Sequence, residues 1–435
     1  GYERTAYKLA LYDALGNANL REDYVYTGKR LIKTELYDIS LVSGDGPKKT
    51  DKGSLQEESI YEGRSGDEKI TQTFRYRANG STVETVDYTY AKNTRGRRYV
   101  SDIVSKTYAE DGSILERVVT SNTSVDINGN VLRQDIRTYY TEGGVERLDK
   151  EEESVFSSYS ALGDAGIQII TSYSIKGYVD SEHYTKTEES YSVIQNLRYG
   201  STHNVLSQRI DTYANHTKKV FLWSQDIRNY KADFYGNVLD RTETTWWDIG
   251  RSGPLLHKVI HNDYDNLIAR RKNNATHTTV ATYSSKAAAA GDLIERQEIY
   301  NISFDMRGNI VDQYTDKFVV ENGTEYLVGR ETVKNLIINS RGDAEIQHIT
   351  SYVVDKEGVL VESGYREIAN LGFDSRHNVM SQRVEEYLDS TKADLVEIKE
   401  IKNFDFDLRG NALSQSIITY TASGTLLDKK FIETE

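Results

Sequence analysis

Eight histidines are the side chains of this sequence best suited to metal binding or acid–base catalysis. They are His183, His203, His216, His257, His261, His277, His348 and His377. His257 and His261 lie four residues apart, a spacing that presents two imidazoles to one metal ion on a helix, but the surrounding residues alternate as in a strand. The sequence contains neither a G-x-S-x-G nucleophile motif nor a phosphate-binding loop. We therefore predict that the protein is not an enzyme and has no catalytic, cofactor-binding or metal-binding residues.

A short acidic segment, 126–130 (DINGN), has the spelling of a calcium-binding loop. The equivalent segment 407–409 (DLR) carries arginine at its third position, and a guanidinium there would repel a cation. A hairpin turn is therefore favoured over a calcium site. In that case we expect the arginine to bond a nearby carbonyl or carboxylate.

The three tryptophans, Trp223, Trp246 and Trp247, could form an aromatic platform for a sugar, together with some of the 32 tyrosines. Four tyrosines recur at one position of the repeat described below, namely Tyr213, Tyr352, Tyr387 and Tyr420. That recurrence favours packing as their role, and sugar binding stays the alternative. Glycan or cell-surface contacts are therefore among the expected partners.

Composition restricts the remaining partners. A net charge of −13 argues against nucleic acid, whose phosphates need a concentrated basic face. The absence of cysteine excludes disulfides, thiol chemistry and cysteine-bound zinc, and it is compatible with the cytoplasm or with bacterial surface proteins. No segment approaches the roughly 18 apolar residues that span a bilayer, so we expect no membrane span.

A repeat of roughly 34 residues organises the chain. Residues 403–420 spell N-x-x-F-D-x-x-G-N-x-x-x-Q-x-x-x-x-Y. The first aspartate of this pattern recurs, exactly or by substitution, at Asp126, Ser160, Gly200, Asp233, Asp305, Asn339, Asp374 and Asp407. Neighbouring clear copies are 34, 40, 33, 34, 35 and 33 residues apart. A further copy occupies 12–17, and degenerate copies lie near Arg77 and Asn262.

The Asp-x-x-Gly-Asn core is typical of a three-residue hairpin loop, in which glycine takes the left-handed conformation. His203 and His377 stand at that glycine position. If the turn closes at Asp and Asn, the asparagine four residues before Asp faces the glutamine eight residues after it. The predicted pairs are Asn122–Gln134, Asn196–Gln208, Asn301–Gln313, Asn335–Gln347, Asn370–Gln382 and Asn403–Gln415. One step outward, the predicted pairs are Ile194–Ile210, Val333–Ile349, Ile368–Val384 and Ile401–Ile417.

Alternation along the strand after each turn predicts the buried face. Gln134, Ile136 and Thr138 share the face expected to point inward, so the amide pairs would be buried and bonded across the strands. An unpaired buried amide costs about 1–3 kcal/mol, whereas a cross-strand pair contributes about 0.2–1 kcal/mol. We therefore expect Gln415→Leu alone to destabilise the chain more than the same change combined with Asn403→Val.

These patterns predict an all-β chain of tandem β-hairpin repeats coiled into a spiral, tube or solenoid. About 12 units would supply some 24 strands, and a flat open sheet of that size is not expected. Residues 1–435 are expected to form a single continuous repeat array with irregular loops near 41–53 and 247–256, and 287–290 is a candidate inserted helical turn. Because the chain begins at Gly1 and Ile432 occupies the position six before the next aspartate, we expect a piece of a longer chain.

Residues 12–17 (YDALGN) and 373–376 (FDSR) resemble the YD repeats of the RHS and teneurin families. That resemblance implies β-hairpins wound into a hollow shell, which in some members encloses a toxin. The fuller spelling N-x-x-F-D-x-R-G-N-x-x-x-Q is similar, over nearly the whole chain, to tandem repeats of giant bacterial cell-surface proteins. This second resemblance implies an extracellular structural part and brings no known active residues.

Two functions are expected from these observations. The first is a non-catalytic structural repeat segment of an extracellular fibre, tube or giant surface protein, which associates head to tail or continues in the same chain. The alternative is an RHS-like β shell that encloses or binds a polypeptide or glycan. An interior filled by side chains favours the first function, and a wide cavity favours the second.

Overall fold

A computed structural model describes residues 3–433 apart from 13–17, 40–52, 78, 143, 181–182, 201–202, 234, 254, 267–268, 271, 306, 322–323, 375–376 and 407–409. These described residues are all-β, with 26 strands. Their helical residues are limited to 269–270 and one 3-10 turn, Ala290–Asp292. None of the helical segments described is long and apolar enough to cross a membrane.

The strands range from seven to 17 residues. They are β1 (Glu3–Tyr12), β2 (Ala18–Thr27), β3 (Arg30–Asp38), β4 (Ser54–Glu62), β5 (Lys69–Tyr76), β6 (Thr82–Lys92), β7 (Arg98–Tyr108), β8 (Ile114–Val125), β9 (Val131–Glu142), β10 (Val145–Tyr159), β11 (Ala165–Asp180), β12 (His183–Tyr199), β13 (Val205–Tyr213), β14 (Phe221–Ala232), β15 (Val238–Trp246), β16 (Leu255–Asp263), β17 (His277–Tyr283), β18 (Leu293–Phe304), β19 (Ile310–Glu321), β20 (Thr324–Ile338), β21 (Ala344–Val354), β22 (Leu360–Phe373), β23 (Val379–Tyr387), β24 (Leu395–Phe406), β25 (Ala412–Thr421) and β26 (Leu426–Glu433). Tyrosine, threonine, valine and isoleucine supply much of these strands because branched and aromatic side chains fit a pleated surface.

The chain forms two compact units, one of Gly1–Val155 with Tyr173–Thr187 and one of Phe156–Ser172 with Glu188–Glu435. In the first unit, β1 to β9 and the start of β10 each pair with the next strand in sequence, always antiparallel. In the second unit the same pairing runs from β12 to β26. No pairing of described strands joins the first strand of either sheet to its last, so each sheet is open. The all-β hairpin fold is thus confirmed, while coiling of the array and its continuity over 1–435 stay predictions.

The register predicted from the turn is confirmed. All six asparagine–glutamine pairs are direct cross-strand partners. The pairs one step outward, such as Ile194 with Ile210 and Ile401 with Ile417, are partners as well. In each of these hairpins a β-bulge between the asparagine and the turn shifts the register. From the asparagine outward, the residues pair as the turn predicts. The turn therefore does fix which residues face each other.

Burial follows the prediction only in part. On the face that carries the asparagines and glutamines, which we call the amide face, buried residues include Thr212, Ile227 and Val384. The opposite face also buries side chains, among them Trp246 and Tyr365. The amide face thus contains buried residues as expected, but it is not the single buried face of the sheet. Basic side chains from the connecting loops account for the difference, because they lie across aromatic rings of the opposite face.

The irregular segments divide into described and undescribed parts. The loop expected near 41–53 lies outside the described residues except for Gly53, and the turn of the copy at 12–17 lies outside them from residue 13 onward. Between the end of β15 at Trp246 and the start of β16 at Leu255, the described residues form no strand. The alanine stretch 287–290 leads directly into the 3-10 turn, as a helical insertion would.

Candidate functional site

The repeated turn is built by one carboxylate. In the copy at Asp305, the backbone N–H of Asp305 donates to the carbonyl of Asn309 at 2.9 Å, which closes the hairpin. Oδ1 of Asp305 accepts from the N–H groups of Arg307 and Asn309, both at 2.8 Å. Its Oδ2 accepts from the Asn309 amide at 2.8 Å. Gly308 has φ +81°, as the three-residue loop requires, so this turn prediction is confirmed.

Histidine replaces that glycine in two turns, and there it links neighbouring turns. His203 and His377 have φ values of 62° and 68°, which few side chains other than glycine adopt readily. Their Nδ1 atoms lie 2.7 Å from Asp164 and 2.5 Å from Asp343 respectively, each in the preceding repeated turn. Burial opposes ionisation of Asp343, but the hydrogen bond and the charge of His377 hold the pKa of this carboxyl below its usual value.

The turn arginines bond nearby carbonyls, as expected, and these carbonyls belong to the next repeated turn. Arg307 donates to the carbonyls of Asn339 at 2.9 Å and Ser340 at 3.1 Å. Arg341 donates to the carbonyl of Asp374 at 2.7 Å. The arginine of 407–409 lies outside the described residues. Within the described part of the chain, no group of three or more His, Cys, Asp or Glu side chains is placed to hold a metal ion.

Asparagine makes the bond that sequence reasoning missed. In eight hairpins the Nδ2 amide of the asparagine before the turn donates to a backbone carbonyl of the preceding hairpin, at or beside the start of its second strand. The pairs are Asn122–Val100 (2.7 Å), Asn196–Ala165 (3.0 Å), Asn229–Val205 (2.8 Å), Asn262–Val238 (3.0 Å), Asn301–Ala275 (2.7 Å), Asn335–Ile310 (2.8 Å), Asn370–Ala344 (2.8 Å) and Asn403–Val379 (2.7 Å). We call these eight bonds the amide ladder. They join hairpins to each other, whereas the sequence suggested only a bond within a hairpin.

The predicted bond within the hairpin forms in three of the six pairs. Glutamine Nε2 donates to asparagine Oδ1 in Gln134–Asn122 (2.9 Å), Gln347–Asn335 (2.7 Å) and Gln415–Asn403 (2.7 Å). In contrast, the buried Oδ1 atoms of Asn229, Asn301 and Asn370 have no hydrogen-bond partner among the described residues. The glutamine bond is therefore optional, while the bond to the preceding hairpin is constant in all of these copies.

The recurring aromatic position packs between strands. Tyr213 contacts the ring of Phe221 edge-on at 5.7 Å, and Tyr387 lies 6.0 Å from Tyr365. Trp246 occupies this same position, 13 residues after Asp233, and is only 2% exposed. Loop cations cover these rings, with Arg251 centred 5.0 Å from the Trp246 ring. Packing is thus what the structure shows for Trp246.

The other two tryptophans line a groove on the amide face. The groove has a volume of about 290 Å³ and is formed by three adjacent strands and the start of a loop. It is lined by Trp223, Gln225, Glu243, Thr245, Trp247, Leu256 and Lys258, which we call the tryptophan groove. Nε2 of Gln225 donates to Glu243 at 3.3 Å and to Thr245 at 3.4 Å. Two indoles and several polar groups therefore share one surface.

Five of the remaining histidines contact carboxylates or hydroxyls, and two of them contact two carboxylates each, namely His261 with Asp240 and Asp263 and His277 with Asp263 and Glu298. His257 bonds the Thr244 hydroxyl at 2.9 Å, and burial lowers its pKa. His261 lies 2.6 Å from Asp240, and that hydrogen bond raises the pKa of the imidazole. His277 stacks on Tyr300 with ring centres 4.4 Å apart. His216 and His348 each pair with one glutamate, and His183 is exposed at the start of β12.

No protein-family model and no curated protein matches this chain. Among solved structures the chain is similar to one titled "Crystal Structure of TcdB2-TccC3-TEV", with 12% sequence identity and a TM-score of 0.15. The match covers 94% of this chain and 27% of that chain, so this chain spans about a quarter of its length. A TM-score this low carries no argument about function or about the shape of the array.

Proposed function

We propose that this chain is a non-catalytic structural segment of an extracellular fibre, tube or giant surface protein. The observation that carries the proposal is the amide ladder, in which eight hairpins use the same side chain to bond the preceding hairpin. A contact repeated in this way is what a linear array needs, because each repeat is stabilised chiefly by its neighbours.

The stacked turns support the same function. Arginine and histidine side chains of the turns are used for bonds to the adjacent repeat, as Arg341 and His377 illustrate. Side chains held in such bonds stiffen the array along its length, and their fixed geometry suits load bearing better than proton transfer. We therefore propose that the conspicuous charged residues of the turns are structural.

The edge strand β26 supports further growth of the array. Ile432 faces Gln415 in the same register in which Ile401 faces Gln382 and Ile227 faces Gln208. Ile227 is 5% exposed, however, whereas Ile432 is 42% exposed. An exposed apolar edge strand pairs readily with another strand. We propose that the β26 edge accepts a further hairpin of this repeat, from the same polypeptide or from a second copy.

Sedimentation of the purified chain over a range of concentrations tests this proposal. We expect concentration-dependent association that Ile432→Lys abolishes, because a charge would be buried between paired strands. Leu162→Lys is the matched control, since Leu162 is 75% exposed in a turn and should not affect association. Monomers at every concentration, or association that both variants share, would contradict the addition of a second copy at this edge.

The alternative is an RHS-like shell that encloses or binds a polypeptide or glycan. The feature that supports it is the Phe373-Asp374 turn, which resembles a YD repeat and closes a hairpin through Asp374 and Asn378 at 3.0 Å. Electron microscopy of the native material separates the two functions. We expect fibres, tubes or surface projections, and closed hollow particles would instead establish the shell.

A further inference from the structure

We propose that the tryptophan groove is a binding site for an uncharged oligosaccharide. The groove has a volume of about 290 Å³ and holds two indole rings beside amide, hydroxyl, carboxylate and ammonium groups. A pyranose ring offers the matching surfaces, because its axial C–H bonds form an apolar face and its hydroxyls project around the rim. Small-ligand sites typically combine aromatic walls with a few placed polar groups in this manner.

The repeat itself supplies the control for this inference. Trp223 lies ten residues before Asp233, and the equivalent residues of other copies are Ser190, Glu295, Gly329, Gly364 and Glu397. These positions are equivalent in register, since Trp223 faces Thr212 as Gly364 faces Ser351 and Glu397 faces Glu386. The hairpin therefore packs without an aromatic residue at this position in the other copies.

Trp247 departs from the repeat in the same way. It lies 14 residues after Asp233, and the equivalent residues are Ala214, Val319, Val353, Leu388 and Thr421. Trp247 is 47% exposed, although burial is the usual means by which a tryptophan stabilises a fold. Trp246 beside it holds the recurring aromatic position and is buried, so the two neighbours have separate roles.

The charges of the groove favour an uncharged ligand. Glu243 faces Lys258 across the strands, and Glu243 also pairs with Arg241. The lining of the groove itself contains one acidic and one basic side chain, Glu243 and Lys258, so its formal charges cancel. No hydrogen bond or ion pair of the Lys258 ammonium occurs among the described residues, which leaves three N–H donors for ligand oxygens. A ligand with hydroxyl groups satisfies these donors without adding net charge.

Another cleft among the described residues does not have these features. It is lined by Phe74, Arg77 and Tyr108 among others, with a volume of about 330 Å³. The Arg77 guanidinium already donates to the carbonyls of Thr82 at 2.8 Å and Tyr108 at 2.5 Å and to the Ser81 hydroxyl at 3.1 Å. Three of its five N–H donors are therefore used by the protein itself.

Binding of the whole chain to immobilised hexaoses tests the proposal. The probes are cellohexaose, maltohexaose, xylohexaose, mannohexaose and chitohexaose, with heparin as a polyanionic probe. We expect at least one neutral hexaose to be retained and to change the tryptophan fluorescence. Trp223→Ser and Trp247→Val, which install residues found in other repeats, should each weaken binding about tenfold, as the loss of one aromatic contact implies.

The matched control is Tyr230→Ala on the same strand β14, since Tyr230 is 62% exposed but lies outside the groove. This variant should bind as the wild type does, and circular dichroism of all variants should be unchanged. Retention of no neutral hexaose, preference for heparin, or equal binding by the tryptophan variants and the wild type would each overturn the proposal. None of these outcomes would affect the amide ladder, so the structural function is tested separately.

Discussion

Gln415 offers the sharpest test of how the amides stabilise the array. Its Nε2 donates to Oδ1 of Asn403 at 2.7 Å, while Nδ2 of Asn403 donates to the carbonyl of Val379 at 2.7 Å. In the adjacent hairpin, Oδ1 of Asn370 has no partner among the described residues although Gln382 faces it. Gln415→Leu therefore removes a bond, and Gln382→Leu is the matched change that removes none of this kind.

The expected magnitudes follow from these contacts. Asn403 is half-buried, so loss of the Gln415 donor leaves an acceptor that water can partly reach. We therefore expect Gln415→Leu to cost about 1 kcal/mol, the lower end of the range for an unsatisfied polar group. Gln382→Leu should cost less than about 0.5 kcal/mol. Asn403→Val should cost about 2 kcal/mol, because it also leaves the Val379 carbonyl without its donor.

The structure changes the order expected for the double variant. The sequence alone predicts that Gln415→Leu costs more than its combination with Asn403→Val. The bond from Asn403 to Val379 makes the opposite order the expected one, since the double variant loses the link between hairpins as well. The double variant should then match Asn403→Val within about 0.5 kcal/mol.

Amide hydrogen exchange of β24 and β25 is the suitable assay, because a repeat array need not unfold in a single step. A cost of about 1 kcal/mol corresponds to roughly fivefold faster exchange of amides that open with this hairpin. Equal exchange in Gln415→Leu and Gln382→Leu would refute the role of the glutamine bond. A double variant more protected than Gln415→Leu alone would refute the bridging role of Asn403.

Three further predictions concern the turns and the aromatic position. His377→Ala should be less stable than His377→Gly by about 1 kcal/mol in denaturant unfolding, because only glycine adopts the left-handed conformation without strain, and equal stability would contradict this. Since the pKa of Asp343 is held below its usual value in the fold, its charge stabilises the protein above about pH 4, and that contribution is lost as pH falls through the folded pKa. Asp343→Asn should thus lose less stability than the wild type on acidification, and parallel acid curves would argue against the bond to His377. Burial and Glu385 raise the pKa of Tyr387 from 10.0 to about 12, so stability should fall as pH rises between these values, and Tyr387→Phe should flatten that loss in alkaline unfolding curves.

The hairpin register was predictable because the turn is local. A three-residue loop closed by Asp and Asn sets every partner along two strands, which is why Asn122 and Gln134 could be paired from sequence. The left-handed histidines were predictable for the same reason, since His203 occupies a glycine position of the turn. The register of a hairpin and the conformation of its turn depend only on the residues of that hairpin.

Contacts between hairpins were not predictable from one hairpin. Asn335 donates to the backbone carbonyl of Ile310, in the preceding hairpin. Because every residue has a backbone carbonyl, the sequence does not mark which one accepts this bond. Burial of Trp246 on the opposite face also depends on a neighbouring segment, the loop that carries Arg251. The sequence offers all three tryptophans as a possible sugar platform, but only a comparison of repeats separates Trp223 and Trp247, which are exceptional at their positions, from Trp246, which holds the recurring aromatic position.

Disulfide trapping between hairpins tests the central claim most directly, because the chain has no native cysteine. Ser381 and Lys402 are cross-strand partners in β23 and β24, where Asn403 bonds the preceding hairpin. Directly opposed strand residues have the separation that a disulfide requires, whereas a residue one step along points to the other face. The Ser381→Cys/Lys402→Cys variant should therefore crosslink rapidly under mild oxidation, and the Ser381→Cys/Ile401→Cys variant should not. Crosslinking of the second variant, or of neither, would contradict a ladder of asparagine amides joining hairpins in fixed register.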